Sequence, residues 1–288
     1  MRKNIENELK NKIDFIYIID IKDGNPNGDP DAGNMPRIDN ETGQGIISDG
    51  CLKRKIRNYV QMKKNGKPGF DIFVQQKSIL GEKIQSSYNA EDVKDKPDKE
   101  KDEAADKYMC RNYYDIRTFG AVLTKGAGHN SGQVTGPVQL TFSRSIDPIC
   151  IKEHSITRCA VAQKQDETKE QTMGSKFTIP YGLYVCHGFV SARFAQKSGF
   201  NEDDLNLLWE SLENMFNEDH SAARGLMTPQ KLIIFRHQSD LGNMPADKLF
   251  HLVQIKKISE GPARDISDYE ISIDKSKLPD TIKCEELI

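Results

Sequence analysis

The densest cluster of carboxylates and amides in this chain is Asp23-Gly24-Asn25-Pro26-Asn27-Gly28-Asp29-Pro30-Asp31-Ala32-Gly33-Asn34. Asp23, Asn25, Asn27 and Gly28 satisfy the opening of a calcium-loop template, and Asp29 and Asp31 fall at later ligand positions. Against that reading, the last position is Asn34 rather than a bidentate Glu, two prolines stiffen the loop, and a strand precedes it. A looser divalent-metal site or plain turn chemistry would use the same residue types. Just downstream, Lys53, Arg54, Lys55 and Arg57 crowd one predicted helix, and Arg37 lies between loop and helix, so several donors could converge on phosphates without reading a base. Gly126-Ala127-Gly128-His129-Asn130-Ser131-Gly132 matches neither a dinucleotide fingerprint nor a nucleophile elbow. No phosphate-binding P-loop is present, and no nucleophile is paired in sequence with a base, so no catalytic residue is assigned. Asp219-His220 is read as a capping or packing pair.

These residues need elements to hold them. Ile13, Phe15, Tyr17, Ile19 and Ile21 alternate with Ile16 and Ile18, which predicts a strand buried on both faces at about 13–22. Leu52, Ile56, Tyr59 and Val60 form one stripe of a helix over 49–63, with Ser48 as N-cap and Lys53, Arg54, Arg57 and Gln61 on a solvated opposite face. Phe70–Val74 reads as a short strand, and 91–107, nearly all charged, as a mobile insertion. Strict alternation over 137–146 predicts a strand with Val138, Leu140 and Phe142 inward and Gln139, Thr141, Ser143 and Ser145 outward. Residues 152–177 suggest a projecting hairpin and 179–190 a strand. Asn201 caps a helix whose buried stripe is Leu205, Leu208, Trp209, Leu212, Met215 and Phe216. A strand at 249–258 and a short one near 269–273 close the chain. The order approximates the split β-α-β arrangement of ferredoxin-like domains.

Composition sets the outer limits. With 288 residues, 36% hydrophobic and 29% charged, the chain is long enough for a substantial core and carries a heavily solvated surface. The apolar runs are too short to span a bilayer and the N-terminus lacks a signal-peptide core, so a cytoplasmic protein without membrane contact is expected. Six scattered cysteines with no Cys-x-x-Cys argue against a zinc ribbon or a disulfide scaffold. The net charge of −2 neither supports nor excludes RNA.

Several blocks together resemble one known family. Asp23–Pro30 followed by Ser48–Arg57, then Asp115-Ile116-Arg117-Thr118-Phe119-Gly120-Ala121-Val122-Leu123, Gly136-Pro137-Val138-Gln139 and Ser143-Arg144-Ser145-Ile146-Asp147-Pro148-Ile149 are similar to the DevR-type CRISPR-associated backbone subunit of type I-C Cascade, in the RAMP superfamily. Ile156-Thr157-Arg158, Thr172-Met173-Gly174-Ser175-Lys176 and Asp219-His220-Ser221-Ala222-Ala223-Arg224-Gly225 continue the resemblance nearly to the end of the chain.

The resemblance implies an α+β fold: one domain over 1–288, an RRM-like (ferredoxin-like) palm with finger-like insertions at about 76–135 and a β-hairpin thumb at about 150–177. It implies a non-catalytic protein without cofactor or metal. Copies polymerise along crRNA, hold its backbone, and present guide segments to target DNA beside the crRNA-processing, large and small subunits. Lys53, Arg54 and Arg57 would grip phosphates, and Gln139 and Ser143 would touch sugar or backbone. Thr157, Arg158, Met173 and Lys176 would lie near the RNA, and Asn27, Arg37, Ser48, Arg117 and Arg144 complete the expected RNA-binding set. Backbone subunits of type III relatives cut target RNA with an acidic loop residue, which keeps a metal-dependent endoribonuclease built on Asp23–Asp31 as the alternative. A small-molecule-binding α+β domain is a third reading.

Overall fold

The computed structural model describes residues 7–123, 132–157 and 173–288. Its strands are β1 (Ile13–Gly24), β2 (Gly28–Asp29), β3 (Met35–Pro36), β4 (Gln44–Ile47), β5 (Gly120–Val122), β6 (Gln133–Thr135), β7 (Val138–Leu140), β8 (Ser143–Pro148), β9 (Lys152–Thr157), β10 (Met173–Val190), β11 (Leu226–His237), β12 (Val253–Lys257), β13 (Tyr269–Ile273) and β14 (Ile282–Glu286). Its helices are α1 (Asp49–Lys64), α2 (Leu80–Asn89), α3 (Glu91–Lys94), α4 (Asp98–Asn112), α5 (Tyr114–Phe119), α6 (Ala192–Ser198), α7 (Glu202–Glu218) and α8 (Ala246–Phe250).

The central sheet runs β14-β11-β1-β10-β8-β4, with β7 also on β10. Taking β1, α1, β7/β8, β10, α7 and β11 in chain order gives β-α-β-β-α-β, the ferredoxin-like core, with β1 and β10 antiparallel at its centre. β1 is buried on both faces as its two apolar sets require. Ile13, Phe15, Tyr17, Ile19 and Ile21 face α1 and α7, while Ile16 and Ile18 face a second core. Across the helix side, Phe15 meets Trp209 edge-on at 5.0 Å, and the Tyr17 hydroxyl donates to the Leu212 carbonyl at 2.6 Å. Each such fully buried large side chain contributes roughly 1.5–3 kcal/mol. Asn201 and Asp204 form a reciprocal capping box that starts α7.

The second face of the sheet is covered. Leu249, Leu252, Tyr269 and Ile282 pack over Ile16, Ile18, Leu183, Ile233 and Phe235. Among the described residues no helix is long and apolar enough to cross a membrane.

Four sequence expectations are corrected and one strand not assigned from sequence is added. Residues 91–107 are largely helical, in α3 and the start of α4: Val93 and Ala105, with Met109 further along α4, seal a third core with Phe73, Ile84, Tyr88 and Ile116, while the charged residues coat its outer side. Phe70–Val74 forms no strand, because the Asp115 carboxylate accepts from the Phe73 and Val74 N–H groups at 2.7 and 3.0 Å. Leu226–His237 is a full strand beside β1, hidden by Pro229, which sits where the register shifts at Ile18/Ile19. Leu249 belongs to a helical turn, so the strand after it starts at Val253.

The fourth correction bears on the site. The 137–146 strand breaks at Thr141–Phe142. Pairing is Leu140 with Gly188 before the break and Arg144 with Val185 after it, so one extra residue enters. The Thr141 hydroxyl accepts from the His187 N–H at 3.0 Å, standing in for a ladder carbonyl. One extra residue exchanges the faces. Phe142 is therefore 54% exposed, whereas Ser143 and Ser145 are buried at 0% and 2%.

Candidate nucleic-acid interface

The polar loop after β1 is built by close backbone contact with the turn after α7. A side chain at Gly24 would place its Cβ 1.7 Å from the Arg224 carbonyl oxygen, and Gly225 has φ 67. The Asn25 N–H donates to the Ala223 carbonyl at 2.8 Å, and the Asn25 amide donates to the Asn34 carbonyl at 2.7 Å. Asn27 Oδ1 accepts from both the N–H and the hydroxyl of Ser48, each at 2.9 Å, and Ser48 Oγ accepts from the Cys51 N–H at 3.2 Å. Loop and helix start are thus one unit. Ser48 is the N-cap expected from sequence, and Asn27 holds it.

The loop's acids do not converge. The Asp29 side chain caps the short turn Pro30–Ala32 and pairs with Arg37 at 3.4 Å, and Asp23 adopts a left-handed φ of 48. Among the described residues no three His, Cys, Asp or Glu side chains gather as a metal-ligand group.

The cations of α1 divide into three environments, which corrects the expectation of one solvated face. Lys53 is 15% exposed, pairs with Asp49 at 2.9 Å and lies 5.6 Å from the centre of the Phe119 ring. Arg57 is 13% exposed, pairs with Asp115 at 2.8 Å and covers the same ring at 5.3 Å. Phe119, on α5, comes from the insertion and docks on this face, which no helical periodicity of α1 reveals. Lys55 is buried against Asp219, which also holds Arg224 at 2.5 Å; burial pulls the Lys55 ammonium below the usual lysine range. Arg54 alone among these α1 cations is exposed and forms no ion pair within the described residues.

Arg117 lies inside the protein. Nε and Nη2 donate to the two Asp204 oxygens at 2.9 and 2.7 Å, and Nη1 donates to the Gly69 carbonyl at 2.5 Å. It joins the insertion to the start of α7 rather than facing solvent. Ser143 is equally enclosed, against Cys186, which corrects its assignment to an open polar face. Gln139 is exposed and donates to the Gly136 carbonyl at 3.3 Å. Arg144 is 51% exposed and pairs with Asp39 at 2.7 Å.

Asn27, Arg37, Ser48 and Arg144 therefore gather at the β4 edge of the sheet, where Arg144 pairs in register with Ile46 and the Ile46 N–H donates to the Arg37 carbonyl at 2.9 Å. Arg54 follows on α1. Thr157 and Lys176 lie on a separate ribbon. The outer end of β10 leaves β1 and pairs only with β9, Met173 opposite Thr157 and Lys176 opposite His154. Every residue of β9 is exposed. Arg158 lies outside the described residues.

Sequence reasoning missed Asp219 as the acceptor for two cations and Asp115 as the anchor of the 70–74 segment. Both stand in the similar blocks, but no local pattern names a partner 164 or 42 positions away.

Two solved structures, described as "CRISPR RNA-guided surveillance complex" and "CRISPR RNA-guided surveillance complex, pre-nicking", superpose with TM-scores of 0.45 and 0.48 at 16% and 15% identity. Both matches cover 78% of this chain, and they cover 68% and 78% of those chains. A protein of Haloferax volcanii described as "CRISPR-associated protein Cas7" is 24% identical over 95% of this chain and 83% of its own length. The family model described as "CRISPR-associated protein Cas7" matches residues 11–274, and the chain belongs to the Cas7 family.

Proposed function

We propose that this chain is the crRNA-binding backbone subunit of a type I-C CRISPR effector complex, acting in antiviral defence in the cytoplasm. Copies polymerise along the guide, hold its phosphates and present its bases to target DNA, alongside the crRNA-processing, large and small subunits. The helical insertion at about 76–135 serves as fingers and the hairpin at about 150–177 as thumb, all within one domain.

The observation that carries this reading is the combination of family membership with a surface suited to a backbone and not to bases. Arg37, Arg54 and Arg144 are at least partly exposed about the capped start of α1 and the β4 edge, while the sheet face on which an RRM stacks bases lies under residues 249–282. Lys53 and Arg57 hold their neighbours in place and shape that surface. Thr157 and Lys176 give the hairpin a separate contact.

Fluorescence anisotropy with single-stranded RNA of mixed sequence tests this. Wild type binds with little sequence preference, and R37A/R54A/R144A binds more weakly, with a salt slope smaller by about 0.7 for each phosphate no longer neutralised. Unchanged affinity and slope would remove this edge from the account. The endoribonuclease alternative is tested by single-turnover assays with magnesium or manganese: cleavage abolished by alanine at Asp23, Asp29 or Asp31 would replace the structural reading with an enzymatic one.

A further inference from the structure

Where the β9/β10 ribbon leaves the sheet, a cleft of about 420 Å³ opens between β10 and the loop that follows β12. Tyr181 and Asp147 lie on the sheet side, Lys257 at the end of β12 and Arg264 in the loop opposite, and Tyr269 also lines the cleft. The Tyr181 and Tyr269 rings stack at 6.4 Å, and the Tyr269 hydroxyl donates to the Asp147 carboxylate at 2.5 Å. The wall is thereby fixed, and the one carboxylate in the cleft is already engaged.

The two cations are not engaged in the same way. Lys257 and Arg264 are exposed, and neither forms an ion pair among the described residues; the Arg264 guanidinium donates to the Ala263 carbonyl at 2.9 Å. Nearby Lys22, by contrast, is held by Asp265. A left-handed turn at Gly261, φ 80, folds the loop so that both cations line one opening. The opening continues onto the ribbon: Cys150 lines it, and Lys152, two residues on, is exposed. Lys176 lies on the same ribbon face, since Lys152 pairs with Thr178 and Lys176 with His154. Cations that form no ion pair among the described residues, spaced along a cleft and the ribbon leading out of it, suit a ligand with regularly repeated negative charge.

We infer that the cleft formed by Lys257 and Arg264 against Tyr181 and Tyr269 is a second phosphate-binding site for single-stranded nucleic acid, separate from the β4 edge. This rests on the proposed RNA-binding function and extends it to two cations outside the similar sequence blocks. The site holds backbone phosphates and carries no base specificity.

The test uses the full-length protein, labelled single-stranded RNA of mixed sequence and three variants: K257A/R264A in the cleft, R54A/R144A at the edge, and K10A/K248A as a charge-matched control at exposed positions elsewhere. With a salt slope of about −0.7 per phosphate for single strands, leaving two phosphates without their cations lowers the slope by about 1.4 and shrinks the affinity fall between 50 and 200 mM salt roughly sevenfold. The expected result is that shift in K257A/R264A and none in the control. A cleft variant indistinguishable from wild type, while the edge variant binds more weakly, would overturn the inference and leave the proposed function standing. RNA binding absent from wild type would overturn both. Competition by polyglutamate as strong as that by unlabelled RNA would identify an acidic-peptide site and also overturn the inference.

Discussion

Replacing Arg117 by methionine separates a structural arginine from an RNA ligand. Methionine keeps an unbranched apolar stem against Phe70 and Tyr114, whose ring centres lie 5.1 and 5.2 Å from the guanidinium carbon. It removes both bonds to Asp204 and the bond to Gly69. Asp204 is 3% exposed in its side chain and keeps only the Asn201 N–H at 3.3 Å, so an almost uncompensated carboxylate remains buried. Breaking a buried pair from one side costs about 3–5 kcal/mol. At roughly 2–4 °C per kcal/mol for large domains, the melting temperature should fall by about 6–20 °C. Urea unfolding measures the cost, and anisotropy below the transition measures RNA affinity, which should match wild type. The double variant R117M/D204L should recover part of the loss, because it removes the stranded charge along with its partner. A stability change under about 1 kcal/mol together with weakened RNA binding would refute the argument and return Arg117 to the interface.

Three further outcomes follow from the same geometry. Asn27→Ala strands the Ser48 N–H and hydroxyl together and Ser48→Ala removes the cap; each should cost about 1–2 kcal/mol in urea unfolding, with the double variant less than additive. Gly24→Ala drives a Cβ into the Arg224 carbonyl, so it should destabilise the protein and raise hydrogen exchange at Asn25, whose N–H is bonded to Ala223; a melting temperature equal to wild type would contradict the close approach. Asp106, raised to about 6 by burial and by Asp102 and Glu103, favours its protonated form in the fold. Its stabilising contribution is therefore complete below the ordinary carboxylate range and lost as pH rises through about 6. Asp106→Asn should be more stable than wild type at pH 7.5, and that advantage should vanish by about pH 4.

Much of the palm was legible because its periodicities are local. The two-sided burial of β1, the stripe and cap of α1, and the stripe of α7 each follow from spacing within one element. What stayed hidden depends on partners distant in sequence or on a single inserted residue. Pro229 disguised β11, although a shift in pairing with β1 accommodates it. The charged run at 91–107 reads as unstructured because its few apolar residues, Val93 and Ala105 among them, are too sparse to show a period, yet with Met109 just beyond it they suffice against Ile84, Tyr88 and Ile116. The expected site residues do not share one setting. Asn27, Arg37, Ser48 and Arg144 are gathered at one edge, whereas Arg57 and Arg117 are drawn inward by Asp115 and Asp204, carboxylates that no short motif couples to them.

The bulge at Thr141–Phe142 and the cover over the second sheet face bear on one question, how such a core could hold RNA without reading it. An RRM reads bases by leaving one sheet face open and planting aromatics on its central strands. Here the second-face positions of β1 and β10 carry Ile16, Ile18, Tyr181 and Leu183, and later chain segments bury them, so stacking there would require displacing an apolar core. Each large side chain re-exposed would cost roughly 1.5–3 kcal/mol, against about 1–3 kcal/mol gained per stacked base. Stacking across that face therefore brings no net gain. The bulge closes the remaining polar route on the sheet by turning Ser143 and Ser145 inward, which leaves the sheet edge and the Lys257/Arg264 cleft as charged surfaces open to a strand. Contacts of that kind are indifferent to sequence, which suits the proposed role of a subunit that leaves recognition to base pairing in the guide.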